Sequence, residues 1–352
     1  MAAGVLTACS QGGPLQVSSP DGKLLVNFDL EEGGAPAYSA SFDGQEIVAT
    51  SNLGFQMEKF GELTNGFKMT AHHESEHNET WAPVWGEQDS VVNHYRQLVV
   101  EMKKKTDSAE VLLNVEFRVF DDGFAFRYVF PEQATKQFVI EQELSRFAMT
   151  GDNTAWWIPG DYDTQEYEYT RSPLSEIAAR HEAALVGNVS TSAFDPWAVQ
   201  TSLMMKTQGE KPLYLNIHEA ALIDYPAMHM LYNDSTRTFT SALTPDGKGH
   251  MAVIDTPFST PWRVVMVGEK ATDILSTQII YNLNEPCALD DTSWIHPTKY
   301  MGVWWEMITG KSDWSYTNAH DFDLATFDYS KARPHGRHGA TTANVKRYID
   351  FA

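Results

Sequence analysis

Hydrophobic and polar residues alternate along most of the chain between residues 14 and 285. Runs such as KLLVNFDL, VLLNVEFRVF and FAFRYVF place aliphatic or aromatic side chains at nearly every second position, which is the period of a strand with one buried face. Turn sequences separate the runs, for example Pro-Asp-Gly at 20–22 and 245–247. Many short strands and few helical stretches predict a mainly β fold, built as a large antiparallel sandwich. One helix is predicted near residues 174–186.

The pattern changes near Trp294. The run KYMGVWWEMITG, residues 299–310, is mostly apolar with Gly302 inside it, and it predicts a fully buried parallel strand. A long loop rich in Asp, Ser, His and Gly follows, and a helix is then predicted from Thr341 or Thr342, either of which can cap it. One face of that helix carries Val345, Tyr348, Ile349 and Ala352. Strand, loop and helix form a single βα unit, so we expect the chain to be the front part of a longer protein.

Charge and length limit the classes of function. The 26 Lys and Arg residues stand against 47 Asp and Glu residues, which gives a formal charge of -21. A chain this acidic repels nucleic acid and anionic lipid, so we exclude both as partners. The 352 residues are enough for one large β domain or for two domains.

The chain contains two cysteines, Cys9 and Cys287. Two cysteines cannot build a disulfide framework, and we expect Cys287 to be a buried or half-buried thiol. Cys9 ends the sequence Leu-Thr-Ala-Cys, which resembles the lipid attachment site of bacterial lipoproteins; the alternative is a disordered tail over residues 1–13. The first interpretation predicts a periplasmic or outer-membrane-anchored lipoprotein of a Gram-negative bacterium, which touches the membrane only through a lipid on Cys9.

The stretch WWIPGDYDTQEYEYT, residues 156–170, combines two Trp, three Tyr, two Asp and two Glu. Aromatic faces with carboxylates between them suit a sugar or a cation, although rings so dense are also typical of packing at a β corner. We interpret Trp156, Trp157 and the Tyr rings as packing residues.

Three other clusters are weaker candidates. His218 and Glu219 could form an acid–base pair, but neighbours on a strand point to opposite faces, which favours a structural role. The His and Glu residues of 72–79 have the composition of a metal site, yet the segment is typical of an exposed loop and lacks the helical spacing of a zinc motif. Trp81 and Trp85 are expected to anchor a domain interface.

Several long motifs resemble glycoside hydrolase family 97, and most closely its starch-utilisation type of α-glucosidase. They are WAPVWGE (81–87), NHYRQLVV (93–100), FRVFDDGFAFRY (117–128), WIPGDYDTQEYEYT (157–170), HEAALIDY (218–225), TPWRVVMV (260–267), LNEPC (283–287) and KYMGVWWEMITGKSDWSYT (299–317). The resemblance implies an N-terminal β-super-sandwich, similar to galactose mutarotases, over residues 14–293. Residues 294–352 would then begin a catalytic (β/α)8 barrel.

The resemblance also implies a function. It implies a calcium-dependent, exo-acting hydrolase of α-glucosides such as starch and malto-oligosaccharides, whose acid and base carboxylates lie beyond Ala352, so that this chain alone is expected to be inactive. Glu166 would supply one calcium ligand, and Trp305 would line the sugar subsite. The partners would be an α-linked oligosaccharide and the remainder of the barrel. The alternatives are a family α-galactosidase, or a carbohydrate-binding or mutarotase-like module that acts alone.

Overall fold

The chain divides after Cys287 into two units. The computed structural model describes residues 13–185, 192–315, 326, 328, 330 and 337–352. Cys9, the predicted lipid attachment residue, lies outside the described residues. The boundary predicted from the sequence, at residue 293, lies slightly further along the chain than this observed division. That the second unit begins a barrel stays a prediction.

The first unit is built from three antiparallel sheets, whose strands are numbered along the chain. In spatial order, the eight-stranded sheet contains β1 (Leu15–Ser18), β2 (Leu24–Glu31), β3 (Ala35–Phe42), β4 (Gln45–Asn52), β12 (Arg146–Met149), β19 (Thr238–Leu243), β18 (Met228–Asn233) and β15 (Ala198–Gln200). The four-stranded sheet contains β20 (Ala252–Asp255), β11 (Gln137–Glu143), β5 (Phe55–Met57) and β6 (Gly61–Leu63).

The ten-stranded sheet carries most of the long strands. In spatial order it contains β14 (Thr170–Pro173), β13 (Thr154–Trp157), β16 (Leu203–Lys206), β17 (Tyr214–Ala220), β22 (Trp262–Gly268), β10 (Gly123–Phe130), β9 (Glu110–Phe120), β8 (Val91–Lys105) and β7 (Phe67–Trp81), while β21 (Phe258–Ser259) pairs with β10. The prediction of a mainly β, antiparallel sandwich is therefore confirmed.

Aromatic rings join the sheets in the core. Tyr38 of β3 is buried against Phe126 of β10, with ring centroids 5.0 Å apart. Phe55 of β5 meets Tyr128 of β10 in the same way at 4.5 Å. Full burial of one such side chain is worth about 1.5–3 kcal/mol. The alternating apolar positions found in the sequence are the ones that face this core.

Short helices complete the first unit. A 3-10 turn at Leu174–Glu176 leads into α1 (Ile177–Ala184), which confirms the helix predicted near residues 174–186. Helices α2 (Ala271–Ser276) and α3 (Ile279–Asn282) follow the last strand of the ten-stranded sheet.

Two predictions for the first unit are wrong. Residues 72–79 are not a loop but the middle of β7, which pairs with β8 from Phe67 to Trp81. The period-2 signal is weak there because polar residues occupy both faces of an edge strand, and the backbone ladder rather than burial holds it. Cys287 is exposed rather than buried.

The second unit also departs from one prediction. The run at 299–310 contains no strand; Trp305–Ile308 form the short helix α4. A buried parallel strand needs ladder partners, and none of the described residues of 288–352 forms a strand beside it. Helix α5 (Thr342–Phe351) is present as predicted, and Thr341 caps it by accepting a hydrogen bond from Asn344 N–H. Within the described residues, no helix has the length and apolar character needed to cross a membrane.

Candidate functional site

The loop 158–169, between β13 and β14, carries Glu166 and is folded around the carboxylate of Asp161. Asp161 is only 3% exposed. Its side-chain oxygens accept hydrogen bonds from the backbone N–H groups of Asp163 (2.8 Å), Thr164 (3.0 Å) and Ser192 (2.8 Å) and from the hydroxyl of Tyr167 (2.7 Å). Burial raises the pKa of Asp161, but these donors outweigh burial and hold it below its ordinary value.

The base of this loop is tied to the sandwich. The carbonyl oxygen of Asp161 bonds to Nε2 of buried His229 at 2.8 Å. The Gln200 side chain donates to the Thr164 carbonyl at 2.6 Å. Gly160 donates to the Ala198 carbonyl, and a Cβ at position 160 would lie 2.6 Å from the Ala198 Cβ, so only glycine fits this approach. The loop is therefore fixed at several backbone points.

The rings of the same stretch have unequal roles. Trp157 is fully buried, and its Nε1 donates to Ser172 Oγ at 3.0 Å. Tyr162 stacks on Phe194, with centroids 4.4 Å apart and planes 3° from parallel. Tyr169 is 60% exposed. Packing thus accounts for Trp157 and Tyr162.

Glu166 lies on the exposed part of the loop, and its backbone N–H donates to Thr164 Oγ1 at 3.1 Å. Calcium needs six to eight oxygen ligands. No group of three or more His, Cys, Asp or Glu side chains in the described residues is arranged to hold a metal ion. An exposed carboxylate on a fixed loop therefore fits one position in a calcium coordination shell, and the described residues do not supply the rest.

Trp305 is the first residue of α4, and its side chain is 70% exposed. Its neighbour Glu306 points the other way: the carboxylate accepts hydrogen bonds from Asn344 Nδ2 at 2.8 Å and from Arg347 at 2.5 Å. Glu306 therefore ties α4 to α5 inside the second unit. Trp305 and Glu166 belong to different units.

His218 and Glu219 lie on opposite faces of β17, as their adjacency predicts. Glu219 belongs to a buried ionic group, the Arg263 cluster, whose other members are Arg263, Glu143, Ser145 and Tyr225. Arg263 is fully buried and donates to Glu143 at 2.8 and 2.6 Å and to Glu219 at 2.8 Å. A mutarotase-like acid–base pair would need both side chains on one face, so this pair does not support that alternative.

The two carboxylates of the Arg263 cluster differ. Burial raises the pKa of Glu143, but the Arg263 guanidinium outweighs burial and holds the value below its ordinary range. Burial keeps the pKa of Glu219 above its ordinary value, although Arg263 acts against it. Glu143 also accepts hydrogen bonds from Ser145 Oγ and Tyr225 OH. The cluster is a structural centre rather than a substrate site.

The acidic and basic residues of β7 form polar contacts along the sheet edge. Glu76 contacts Nε2 of His94 at 2.9 Å and Nε of Arg96 at 3.2 Å. His73 contacts Glu101 at 3.3 Å. At the end of β7, Trp81 Nε1 donates to Asn282 of α3, while Trp85 is 53% exposed. Their part in a domain interface stays a prediction.

Sequence reasoning missed Asp161 and its partners. One signal was available, because Asp at 161 and 163 around a Pro-Gly turn is typical of a side chain that bonds the backbone two residues on. Gln200 and His229 could not be found in this way, since they are distant in sequence and meet the loop only in the folded chain.

A family model described as glycosyl-hydrolase 97 N-terminal matches residues 17–286. Among solved structures, a glycoside hydrolase family 97 enzyme from Pseudoalteromonas sp. strain K8 in complex with acarbose has 33% sequence identity and a TM-score of 0.78, and the match covers 96% of this chain and 45% of that one. A single-residue variant of that enzyme in complex with panose gives a TM-score of 0.77.

The curated relatives are more distant. A retaining alpha-galactosidase of Bacteroides thetaiotaomicron is 25% identical over 366 residues, covering 96% of this chain and 48% of the relative. A probable retaining alpha-galactosidase of Streptomyces bingchenggensis is 25% identical over 297 residues, covering 83% of this chain and 40% of the relative. The chain spans about half the length of the relatives it matches. It belongs to glycoside hydrolase family 97, and residues 17–286 match the N-terminal domain of that family.

Proposed function

We propose that this chain is the N-terminal region of a calcium-dependent, exo-acting glycoside hydrolase that cleaves α-linked glucosides. The observation that carries the proposal is the family match over residues 17–286, together with the shared fold over 96% of the chain. The matched relatives are about twice as long, so the whole protein's activity is a proposal drawn from them.

We expect the catalytic carboxylates to lie outside residues 1–352. Glycoside hydrolysis needs one carboxylic acid at the leaving oxygen and a second carboxylate about 5–9.5 Å from it. Glu143 and Glu219 are paired with Arg263 in the interior, where no substrate reaches them. Catalysis by this chain alone is therefore expected to be absent, and its contribution is to support the active site.

Glucosides are favoured as substrates by the solved relative. The enzyme from Pseudoalteromonas, at 33% identity, was solved with acarbose and with panose, and panose consists of α-linked glucose units. An α-galactosidase is the second candidate, because both curated relatives carry that name at 25% identity.

Two residues of this chain are proposed to reach the active site. Glu166, exposed on its anchored loop, would supply one oxygen ligand to calcium. Trp305 would present its exposed ring to the C–H face of a sugar.

The test compares the 352-residue chain with a hybrid in which the chain replaces the corresponding N-terminal part of the Pseudoalteromonas enzyme. Both proteins are assayed on p-nitrophenyl α-glucoside and α-galactoside, with calcium and with EDTA. We expect no turnover by the chain alone, and calcium-dependent turnover by the hybrid.

To distinguish an α-glucosidase from an α-galactosidase, the substrate preference of the hybrid is compared with that of the unmodified Pseudoalteromonas enzyme. A shift of the hybrid toward α-galactoside would favour the second candidate, and an unchanged preference for α-glucoside the first. Calcium-dependent turnover by the chain alone would show that the acid and base lie within residues 1–352 and would overturn the proposal.

A further inference from the structure

The loop 158–169 has a feature that the proposed calcium ligand does not explain. The carboxylate of Asp161 is buried, and its hydrogen-bond donors among the described residues are three backbone N–H groups and one hydroxyl, all of them neutral. Such an arrangement holds the backbone of the loop in one conformation and does not neutralise a charge. It therefore serves a part of the loop whose backbone position matters.

The fixed points lie on both sides of Glu166. Before it, Thr164 is held twice: its N–H donates to Asp161, and its carbonyl accepts from Gln200. After it, the Tyr167 hydroxyl donates to the second oxygen of Asp161. Tyr167 is 5% exposed, whereas Glu166 between these points is exposed. The carboxylate of Asp161 thus closes a short turn that leaves the side chain of Glu166 outside.

We propose that Asp161 is a positioning residue, which fixes the 161–167 turn so that Glu166 is presented in one orientation to a divalent cation. The proposal rests on the proposed function, in which Glu166 is a calcium ligand. Groups that orient a metal ligand without touching the metal commonly change metal affinity about 10–100-fold when they are removed.

Only a carboxylate satisfies this turn. One oxygen of Asp161 faces the N–H groups of Asp163 and Thr164, and the other faces Tyr167 and Ser192. An asparagine has one oxygen and one NH2 group. With the NH2 toward Asp163 and Thr164 it would face two backbone N–H donors, and with the NH2 toward Tyr167 and Ser192 it could donate to the hydroxyl but would still face the Ser192 N–H. Asp161→Asn is therefore a change that conserves size and removes at least one of the four hydrogen bonds to this side chain.

The first measurement is hydrogen exchange, by mass spectrometry, of the peptides spanning 158–170 and 192–200 in the 352-residue chain. Asp161→Asn is expected to raise exchange at these amides about tenfold or more. Tyr167→Phe, which removes one of the four donors and keeps the ring, is expected to have a smaller effect of the same kind. The matched control is Glu168→Gln, an exposed carboxylate of the same loop, which is expected to leave exchange unchanged.

The second measurement is calcium affinity, by titration of the hybrid enzyme with calcium alone. Asp161→Asn is expected to lower the affinity about 10–100-fold. Glu166→Gln is expected to lower it as well, and the double variant is expected to be no weaker than Glu166→Gln alone, because both changes act through one ligand. Glu168→Gln is expected to have no effect.

The outcomes distinguish the positioning role of Asp161 from the calcium-binding role of Glu166. If Glu166→Gln weakens calcium binding and Asp161→Asn and Tyr167→Phe do not, the positioning role is overturned while the proposed function stands. If Glu166→Gln has no effect on calcium, the proposed ligand fails and the positioning role fails with it. Unchanged exchange in both Asp161→Asn and Tyr167→Phe would show that the turn holds without this carboxylate, which also overturns the proposal.

Discussion

The Arg263 cluster and strand β7 are both rich in acidic and basic side chains, and they behave in opposite ways. In the cluster, Arg263 and Glu143 are fully buried, and the ion pairs of Arg263 with Glu143 and Glu219 measure 2.6 and 2.8 Å. Along β7, Glu76 is about half exposed, and its partners His94 and Arg96 reach it from the next strand across a surface open to water. Similar residue types therefore produce a structural centre in one place and a solvated edge in the other.

The difference lies in solvation rather than in composition. Removing one partner of a buried ion pair leaves the other charge without water around it. When one partner of an exposed pair is removed, water hydrates the remaining charge. The Arg263 cluster also joins strands of two different sheets, since Glu143 ends β11 and Arg263 lies in β22. Burial, and not the number of charges, determines which of the two regions the fold depends on.

The strongest test of this contrast is Arg263→Met. It leaves Glu143 and Glu219 buried without their cation, and we expect the free energy of unfolding to fall by about 3–5 kcal/mol. Urea unfolding measures the change, with Arg96→Met as the exposed counterpart, for which we expect a loss several-fold smaller. Equal losses for the two variants would contradict the contrast.

A finer test compares the two carboxylates of the cluster. Glu143 accepts hydrogen bonds from two nitrogens of Arg263 and from three hydroxyls. Glu219 accepts from one Arg263 nitrogen and from the Met228 N–H. Glu143→Gln should therefore destabilise the protein more than Glu219→Gln, by roughly 1 kcal/mol or more. Urea unfolding of both variants measures which loss is larger. A larger loss for Glu219→Gln would show that the contact between Arg263 and Glu143 is not the dominant one in the cluster.

Asp161 provides an intermediate case, a buried carboxylate satisfied by neutral donors. Because its pKa is lowered by folding, its contribution to stability is fully present above the unfolded-state pKa of about 3.9 and is lost as the pH falls through the lower folded pKa. The difference in unfolding free energy between the wild type and Asp161→Asn should thus be constant near neutral pH and shrink in acid. A difference that grows in acid would contradict this sign.

The smallest effect is expected on β7. Hydrogen bonds from His94 and Arg96 lower the pKa of Glu76, but the pair is exposed and screened by salt. Glu76→Gln should leave the urea midpoint at high salt unchanged within error, with at most a slight decrease at low salt. A large decrease at both salt concentrations would mean that the sheet edge is held by these ion pairs rather than by its backbone ladder.

The strands of the sandwich could be predicted from the sequence where one face is buried. Strand β9 alternates clearly, β10 carries an aromatic ring at every second position, and both were identified within a residue of their observed ends. Strand β7 was missed because neither face is consistently apolar. The run at 299–310 was wrongly predicted as a strand, because an apolar run of that length does not by itself distinguish a strand from a helix.

The candidate site was only partly predictable. Glu166 was selected by family resemblance, and its calcium role stays a prediction. The carboxylate beneath it, Asp161, depends on Ser192, Gln200 and His229, and no local pattern connects residues so far apart. The same limit applies to Glu143 and Arg263, which are 120 positions apart in the chain. Periodicity reveals which face is buried, but not which polar groups meet inside it.

The Arg263 cluster has a consequence for how this sequence can diverge. Any single replacement of Arg263, Glu143 or Glu219 leaves a buried charge or a buried hydrogen-bond donor without its partner. An apolar replacement of the whole set would avoid that state, yet it requires several codons to change together. Drift at one of these positions is therefore expected to be tolerated only in lineages that already carry excess stability, and the three residues should be inherited or lost as a group.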